Sequence, residues 1–235
     1  MFVKILFLSF IFSFLTACGG GGGGVQPTIY PVVSLSTSHA SVTENSGTTV
    51  TLTVTASKIS DEDITVTLST SGTATDGTDY SAVNGSSLTI TAGTTTAIKT
   101  FTITDNSIYE GNETVIVAIS TVSGGSATEN GTQTETITIT ENESAPTITL
   151  STSTSSVAEN SGTIVTLTVT SSQAADEDIT VTLASSGTAT DGTDYSSVNS
   201  SSLTITTGTT TATKTFTITD NSIYEGNETI IVSIN

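Results

Sequence analysis

The nine residues DNSIYEGNE occur twice, at 105–113 and at 220–228. Each copy packs three carboxylates into one short run: Asp105, Glu110 and Glu113, then Asp220, Glu225 and Glu228. Asn106 and Asn221 add amide oxygens. Further acids recur around each run, Glu44, Asp79, Glu141 and Glu143 in the first half, Glu159 and Asp194 in the second. Gathered carboxylates repel one another, and their pKa values rise unless a cation intervenes. Hard oxygen donors on flexible loops suit Ca²⁺, which takes six to eight of them. Mg²⁺ demands a stricter octahedron and keeps its own waters. Zinc favours Cys and His, and this chain has one of each, Cys18 and His39. A lone His without Arg assembles no nucleophile–base pair, and no Gly-rich phosphate loop is present, so the reading is neither an enzyme nor a nucleotide binder. The spacing is not that of an EF-hand: Gly111 stands seventh in its run rather than sixth, and the twelfth position is Ile116. The chemistry left is cation binding.

Strands must bring these acids together. Alternation of apolar residues with Thr marks TVTLTVTAS (49–57), ITVTL (64–68), SLTIT (87–91), TFTIT (100–104) and ETITIT (135–140). TVIVAIS (114–120) is more continuously apolar, as in a strand buried on both faces. With a short strand near Val33–Leu35, this predicts an all-β, seven-stranded Greek-key sandwich of immunoglobulin-like type. Thr is stiff at χ1 and suits strands, which excludes a disordered acidic tail. In an up-and-down arrangement every second loop lies at the same end. The Glu44 segment, GTATDGTDY (72–80), DNSIYEGNE and ENES (141–144) therefore converge at one tip. KISDED (58–63), TAGTTT (91–96) and residues 121–134 fall at the other. Asp61–Asp63 and Asp176–Asp178 read as solvated turn charges, Asp76 and Asp191 as turn formers, and Tyr80 and Tyr195 as plugs of the sandwich end.

The unit repeats. Glu44 matches Glu159, Asp79 matches Asp194 and Tyr109 matches Tyr224, always 115 positions apart. A repeat of that size is a whole domain. The expected organisation is a first domain over 32–145 and a second over 146–235. The second lacks a counterpart of ETITIT, which leaves a neighbouring edge uncovered, and the chain reads as part of a longer protein.

The formal net charge is −18, with lysines only at 4, 58, 99 and 214 and no Arg. That excludes nucleic acids and anionic membranes as electrostatic partners. Residues 1–18 read as a secretory signal peptide, with Lys4 ahead of an apolar run too short to span a membrane. Leu15-Thr16-Ala17-Cys18 resembles the lipobox of bacterial lipoproteins, which implies cleavage before Cys18 and lipidation of its thiol. Six glycines (19–24) and two prolines form a tether through residue 31. The expected location is the cell envelope, lipid-anchored through Cys18. The expected partners are the membrane and an extracellular protein or glycan.

The segments VTENSGTTVTLTV, SGTATDGTDYS and AIKTFTITDNSIYEGNET, with their second copies, resemble the Calx-beta domain of sodium/calcium exchangers, found also in an integrin subunit and in bacterial surface proteins. The likeness covers 34–143 and 149–235. It implies a seven-stranded sandwich binding Ca²⁺ at one tip, in adhesion or surface display. The implied ligands are Glu44, Asp79, Asp105, Asn106, the Ile108 carbonyl, Glu110, Glu113, Glu141 and Glu143. In the second copy they are Glu159, Asp194, Asp220, Asn221, the Ile223 carbonyl, Glu225 and Glu228. Where calcium-rich members carry Asp runs, this chain has Asp105-Asn106-Ser107 and Glu141-Asn142-Glu143, which implies fewer or weaker ions. The contrasting expectation is a calcium-independent spacer, or accessory repeats of a larger surface protein or enzyme.

Overall fold

A computed structural model describes residues 29–235. The expected signal peptide, the expected lipobox with Cys18 and all but the end of the expected tether lie outside the described residues.

The first sandwich is built from β1 (Val32–Thr37), β2 (Ser41–Thr43), β3 (Thr49–Ala56), β4 (Ile64–Gly72), β5 (Ser87–Ile90), β6 (Thr96–Thr102), β7 (Glu113–Ser123), β8 (Thr128–Glu129) and β9 (Thr134–Thr140). One sheet has the order β6-β3-β1-β8 and the other β2-β9-β7-β4-β5. The second sandwich has β10 (Ile148–Thr152), β11 (Ile164–Ser171), β12 (Ile179–Gly187), β13 (Ser202–Ile205), β14 (Thr211–Thr217) and β15 (Ile230–Ile234). Its sheets run β10-β11-β14 and β13-β12-β15.

Alternation sets the faces. In β3, Val50, Leu52 and Val54 are fully buried while the intervening Thr residues lie outward. Ile64, Val66 and Leu68 of β4 and Val115 and Val117 of β7 meet them from the opposite sheet. Burying each such side chain contributes roughly 1.5–3 kcal/mol before chain entropy is charged against it. Tyr80 and Tyr195 plug the sandwich ends, each 1% exposed, with Phe101 and Phe216 at ring-centroid distances of 5.6 and 5.7 Å. Gly72 and Gly187 sit at φ +115° and +123°, where a Cβ would collide with the carbonyl oxygens of Thr114 and Thr229. Only glycine lets the end of β4 or β12 come so close to the neighbouring chain.

Three strand expectations are corrected. The strand expected at 100–104 runs from Thr96 to Thr102, because its backbone pairs with β3 from Thr49↔Thr102 to Thr55↔Thr96. It lies at the sheet edge with Ile98 65% exposed, so apolar content misplaced it. Ile103 instead bridges Tyr80. β7 is central in its sheet, yet Ile116 and Ala118 face outward and stay partly exposed, so it is not buried on both sides. The short β2 and β8, parallel to β9 and β1, were not foreseen.

Candidate metal centre

Four loops at one end of the first sandwich carry the acids. After β2 the chain makes one 3-10 turn, Glu44–Ser46, closed by Gly47 in the left-handed region (φ 61°). That turn places Glu44 inside the end of the sandwich, 4% exposed. Asp79 is 7% exposed and is fixed by its own loop. Its Oδ2 accepts the Thr75 N–H at 2.6 Å, and its carbonyl accepts the Thr104 N–H at 2.8 Å. Between β6 and β7, Asn106 Oδ1 accepts the Ile108 N–H at 2.6 Å, and its amide donates to Glu110 Oε2 at 3.2 Å. Glu113 opens β7.

The acids form two groups. One carboxylate oxygen each from Glu44, Glu141 and Glu143 lie within 4.8 Å of one another, and so do those of Asp79, Glu110 and Glu113. Burial pushes the Glu44 carboxyl up to about 7, with the charges of Glu110, Glu141 and Glu143 adding to it. Glu113 is likewise pushed up to about 7, by burial and then by Asp79, Glu110 and Asp176. Glu110 is raised by burial and by Asp79, Asp176 and Glu141, against the Asn106 hydrogen bond. The charges that act most on these carboxyls are all acidic. Glu44 Oε1 and Glu143 Oε2 are buried with no hydrogen-bond partner. An unpartnered buried carboxylate oxygen is costly unless it is protonated or bound to a cation.

Glu141 differs from its neighbours. Its Oε2 accepts the N–H groups of Glu110 and Gly111 at 2.6 and 2.8 Å, and its Oε1 those of Asn142 and Glu143 at 2.8 and 2.9 Å. These amides outweigh burial and hold its carboxyl below the usual range, while Glu143, hydrogen-bonded to it, is raised. Four N–H donors use the four acceptor positions of a carboxylate. Glu141 therefore ties the exit of β9 to the 110–111 turn, leaving Glu44 and Glu143 as the free oxygens of that group.

Asp105 is exposed and outside both groups, and it acts by charge on Glu143. Asp76 belongs to the fold. Burial raises its carboxyl, but the Asn84 and Val83 N–H groups at 2.8 and 3.1 Å and the Thr70 hydroxyl at 3.2 Å bring it below the usual range.

In the second sandwich one group forms, Asp194, Glu225 and Glu228. Asp194 is 9% exposed with Oδ1 unpartnered, and Oδ2 accepts the Thr190 N–H at 2.6 Å. Glu225 and Glu228 are exposed. Asn221 repeats the turn, accepting the Ile223 N–H at 2.7 Å. Its backbone N–H reaches Glu159 Oε1 at 3.4 Å, but Glu159 is exposed and outside the group, as is Asp220. Ile223 is 66% exposed.

Asp176 is exposed, as a turn charge is, and its backbone N–H also donates to the Tyr109 carbonyl. It stands against the first sandwich's tip, where it raises Glu110 and Glu113. Strand parity held the signal: with β9 ending at Thr140 and β10 beginning at Ile148, the loop after β11 must face the tip of the first unit.

A sandwich with carboxylates massed at one tip defines a cation-binding type of β module. The chain belongs to the Calx-beta domain family, whose profile matches residues 27–143 and 141–235. Modules of this family bind and regulate rather than catalyse. No curated protein sequence matches the chain. Among solved structures it is similar to CBD12 from CALX1.2, at 19% identity over 80% of this chain and 74% of that one, TM-score 0.43. It is also similar to the calcium binding domain CBD12 of CALX1.1, at 18% identity over 77% and 74%, TM-score 0.38. The adhesin InvE of Yersinia pseudotuberculosis matches at 13% identity over 92% and 58%, TM-score 0.31.

Proposed function

We propose that this chain is a calcium-binding surface module, anchored by lipid on Cys18 and serving adhesion or display toward an extracellular protein or glycan. The observation that carries the calcium reading is Glu44, a carboxylate 4% exposed with an oxygen that has no partner, beside Glu143 and within the field of Glu110. Oxygen donors without Cys or His fit Ca²⁺ by their chemistry. Glu44, Glu143, Asp79, Glu110 and Glu113 would hold it in the first sandwich, and Asp194, Glu225 and Glu228 in the second. Bound Ca²⁺ supplies the positive charge that these carboxylates lack and stiffens the joint that follows Glu143. Among the described residues no helix is long and apolar enough to cross a membrane, so the membrane attachment rests on the Leu15–Cys18 motif.

The spacer reading is favoured by one observation, that Glu141 is satisfied entirely by backbone amides. Thermal unfolding of residues 29–145 decides between the two. Their core draws only on residues 33–139, so the unit is complete in itself. Ca²⁺ at a hundred times its dissociation constant stabilises by about 2.7 kcal/mol, a rise on the order of 10 °C that Mg²⁺ does not reproduce. An unchanged midpoint up to millimolar Ca²⁺ leaves the spacer.

A further inference from the structure

The two units are copies, yet the ends at which the chain enters them differ. In each, the incoming segment and the loop after the long strand leave the sheet side by side. The Ser57 N–H donates to the Val32 carbonyl at 2.8 Å, and its hydroxyl accepts the Val32 N–H at 3.0 Å. Ser172 holds Thr147 in the same way, with both distances 2.9 Å. Ile29-Tyr30 and Lys58-Ile59 therefore flank the entry end of the first sandwich, as Ser144-Ala145 and Gln173-Ala174 flank that of the second. In the second unit this end is covered. The Tyr109 N–H donates to the Ala174 carbonyl at 3.0 Å, and the Tyr109 carbonyl accepts the Asp176 N–H at 3.2 Å, a parallel bridge across the buried Ala175. Small side chains there let main chain approach main chain. In the first unit the same positions carry Ile29, Tyr30 and Ile59, which are 72%, 53% and 61% exposed, and the exposed Lys58. The residues around them do not change between the copies: Pro31 and Pro146, Ser57 and Ser172, Asp61-Glu62-Asp63 and Asp176-Glu177-Asp178.

Large apolar side chains gathered in water mark a surface that meets something. What it meets follows from the length of chain before it. Residues 19–28 separate Cys18 from Ile29, and ten residues span at most about 36 Å when fully extended. A lipid on Cys18 therefore holds this end of the sandwich within that distance of a bilayer. The side chains suit a headgroup layer. Tyr has an apolar ring with a polar tip, Ile reaches below the headgroups, and Lys lays its stem on apolar surface while its ammonium meets a phosphate. The exposed Asp61 and Glu62 beside them repel an anionic surface and leave a zwitterionic one. We propose that the entry end of the first sandwich is a docking surface for zwitterionic phospholipid, with Ile29, Tyr30 and Ile59 seated at the headgroup level and Lys58 on a phosphate. This inference rests on the reading of Cys18 as a lipid anchor and adds that the sandwich itself sits on the bilayer.

Cys18 is the only cysteine, so its thiol couples residues 18–235 to a maleimide phospholipid in phosphatidylcholine vesicles. Quenching of tyrosine emission by brominated phosphatidylcholine is then the readout. The parent is expected to be quenched, and Tyr30→Phe to remove the quenched part. Lys58→Gln with Ile59→Ala, the residues of the second unit, is expected to lower the quenching of Tyr30 at least about threefold. Anionic lipid added to the vesicles is expected to lower it as well. Ile98→Thr, at an exposed apolar residue of β6, is the control and leaves it unchanged. The substituted side chains are exposed, so thermal unfolding of each variant matches the parent. An unquenched parent, equal quenching after Lys58→Gln with Ile59→Ala, or an equal loss from Ile98→Thr overturns the docking surface. Because the maleimide supplies the tether, this result does not depend on lipidation in the cell. The mass of the chain processed by a bacterial cell reads that separately: an unlipidated Cys18 overturns the anchor reading and the inference resting on it, whereas a lipidated Cys18 with no quenching overturns the docking surface alone.

Discussion

Glu44 and Glu159 occupy equivalent places in two near-identical units, yet one is 4% exposed and the other lies in solvent. The difference is made by what covers them. In the first sandwich β9 pairs with β7 and β2, buries Ile137 and Ile139, and carries Glu141 and Glu143 over Glu44. Residues 146–235 hold no counterpart of β9, so Glu159 stands without the strand and the acids that cover Glu44. Carboxylates of the same type thus become a desolvated cluster where β9 and the acids after it stand over them. The ligating power of Glu44 is a property of its cover as much as of its own chemistry.

The sharpest way to break the comparison is to remove that cover from the first unit. Deleting residues 133–143 from residues 29–145 removes Ile137 and Ile139, 0% and 3% exposed. Their burial contributes about 3–6 kcal/mol together, a large part of the roughly 5–15 kcal/mol of a typical domain. The expected result by circular dichroism is loss of the cooperative thermal transition, or a midpoint lower by more than about 15 °C. A midpoint within a few degrees of the parent would mean that β9 is not what closes the first unit.

A smaller effect follows from pH. With chelator present, Glu44 and Glu113 have carboxyls pushed up from 4.5 to about 7 by burial and neighbouring acids. Between those values the folded protein holds protons that the unfolded chain has released. Its stability is therefore greatest near and below pH 4.5 and is lost as pH rises through 7. The expected loss in the first unit between pH 5 and 8 is roughly 2 kcal/mol, most of it from the buried Glu44. Glu44→Gln is expected to recover much of it at pH 8 and to remove the Ca²⁺ response, whereas Glu159→Gln changes stability by less than ~0.5 kcal/mol. Denaturant titrations at both pH values check this. A flat profile in the parent would show that the tip relieves its charges by opening rather than by protonation.

Much of this was legible in the residues. The faces of β3 and β4 follow from strict alternation of Val, Leu and Ile with Thr. Parity of the loops brings Glu44, Asp79, Glu110, Glu113, Glu141 and Glu143 to one end before any coordinate is known. The limits of β6 were not legible, because an edge strand is defined by its partner's backbone and Ile98 faces solvent. Nor was the role of Glu141, since four backbone N–H groups aimed at one carboxylate leave no trace in residue type. Asp176 escaped for a third reason. Its neighbours belong to another folding unit, and its own repeat partner, Asp61, faces nothing comparable.

The smallest expected effect concerns the two tyrosines of the repeated run. Tyr224 is 96% exposed, so Tyr224→Ala should leave stability within about 0.5 kcal/mol of the parent. Tyr109 is half-buried at the joint, so Tyr109→Ala should cost about 1 kcal/mol of apolar contact while the backbone bridge to Ala174 and Asp176 survives. Because the bridge is made by main chain, the loss should appear in the two-unit protein and vanish in residues 29–145. Equal losses in both would place the ring's contacts within the first sandwich, and the difference between Tyr109 and Tyr224 would then belong to that unit's own closure by β9 rather than to docking of its neighbour.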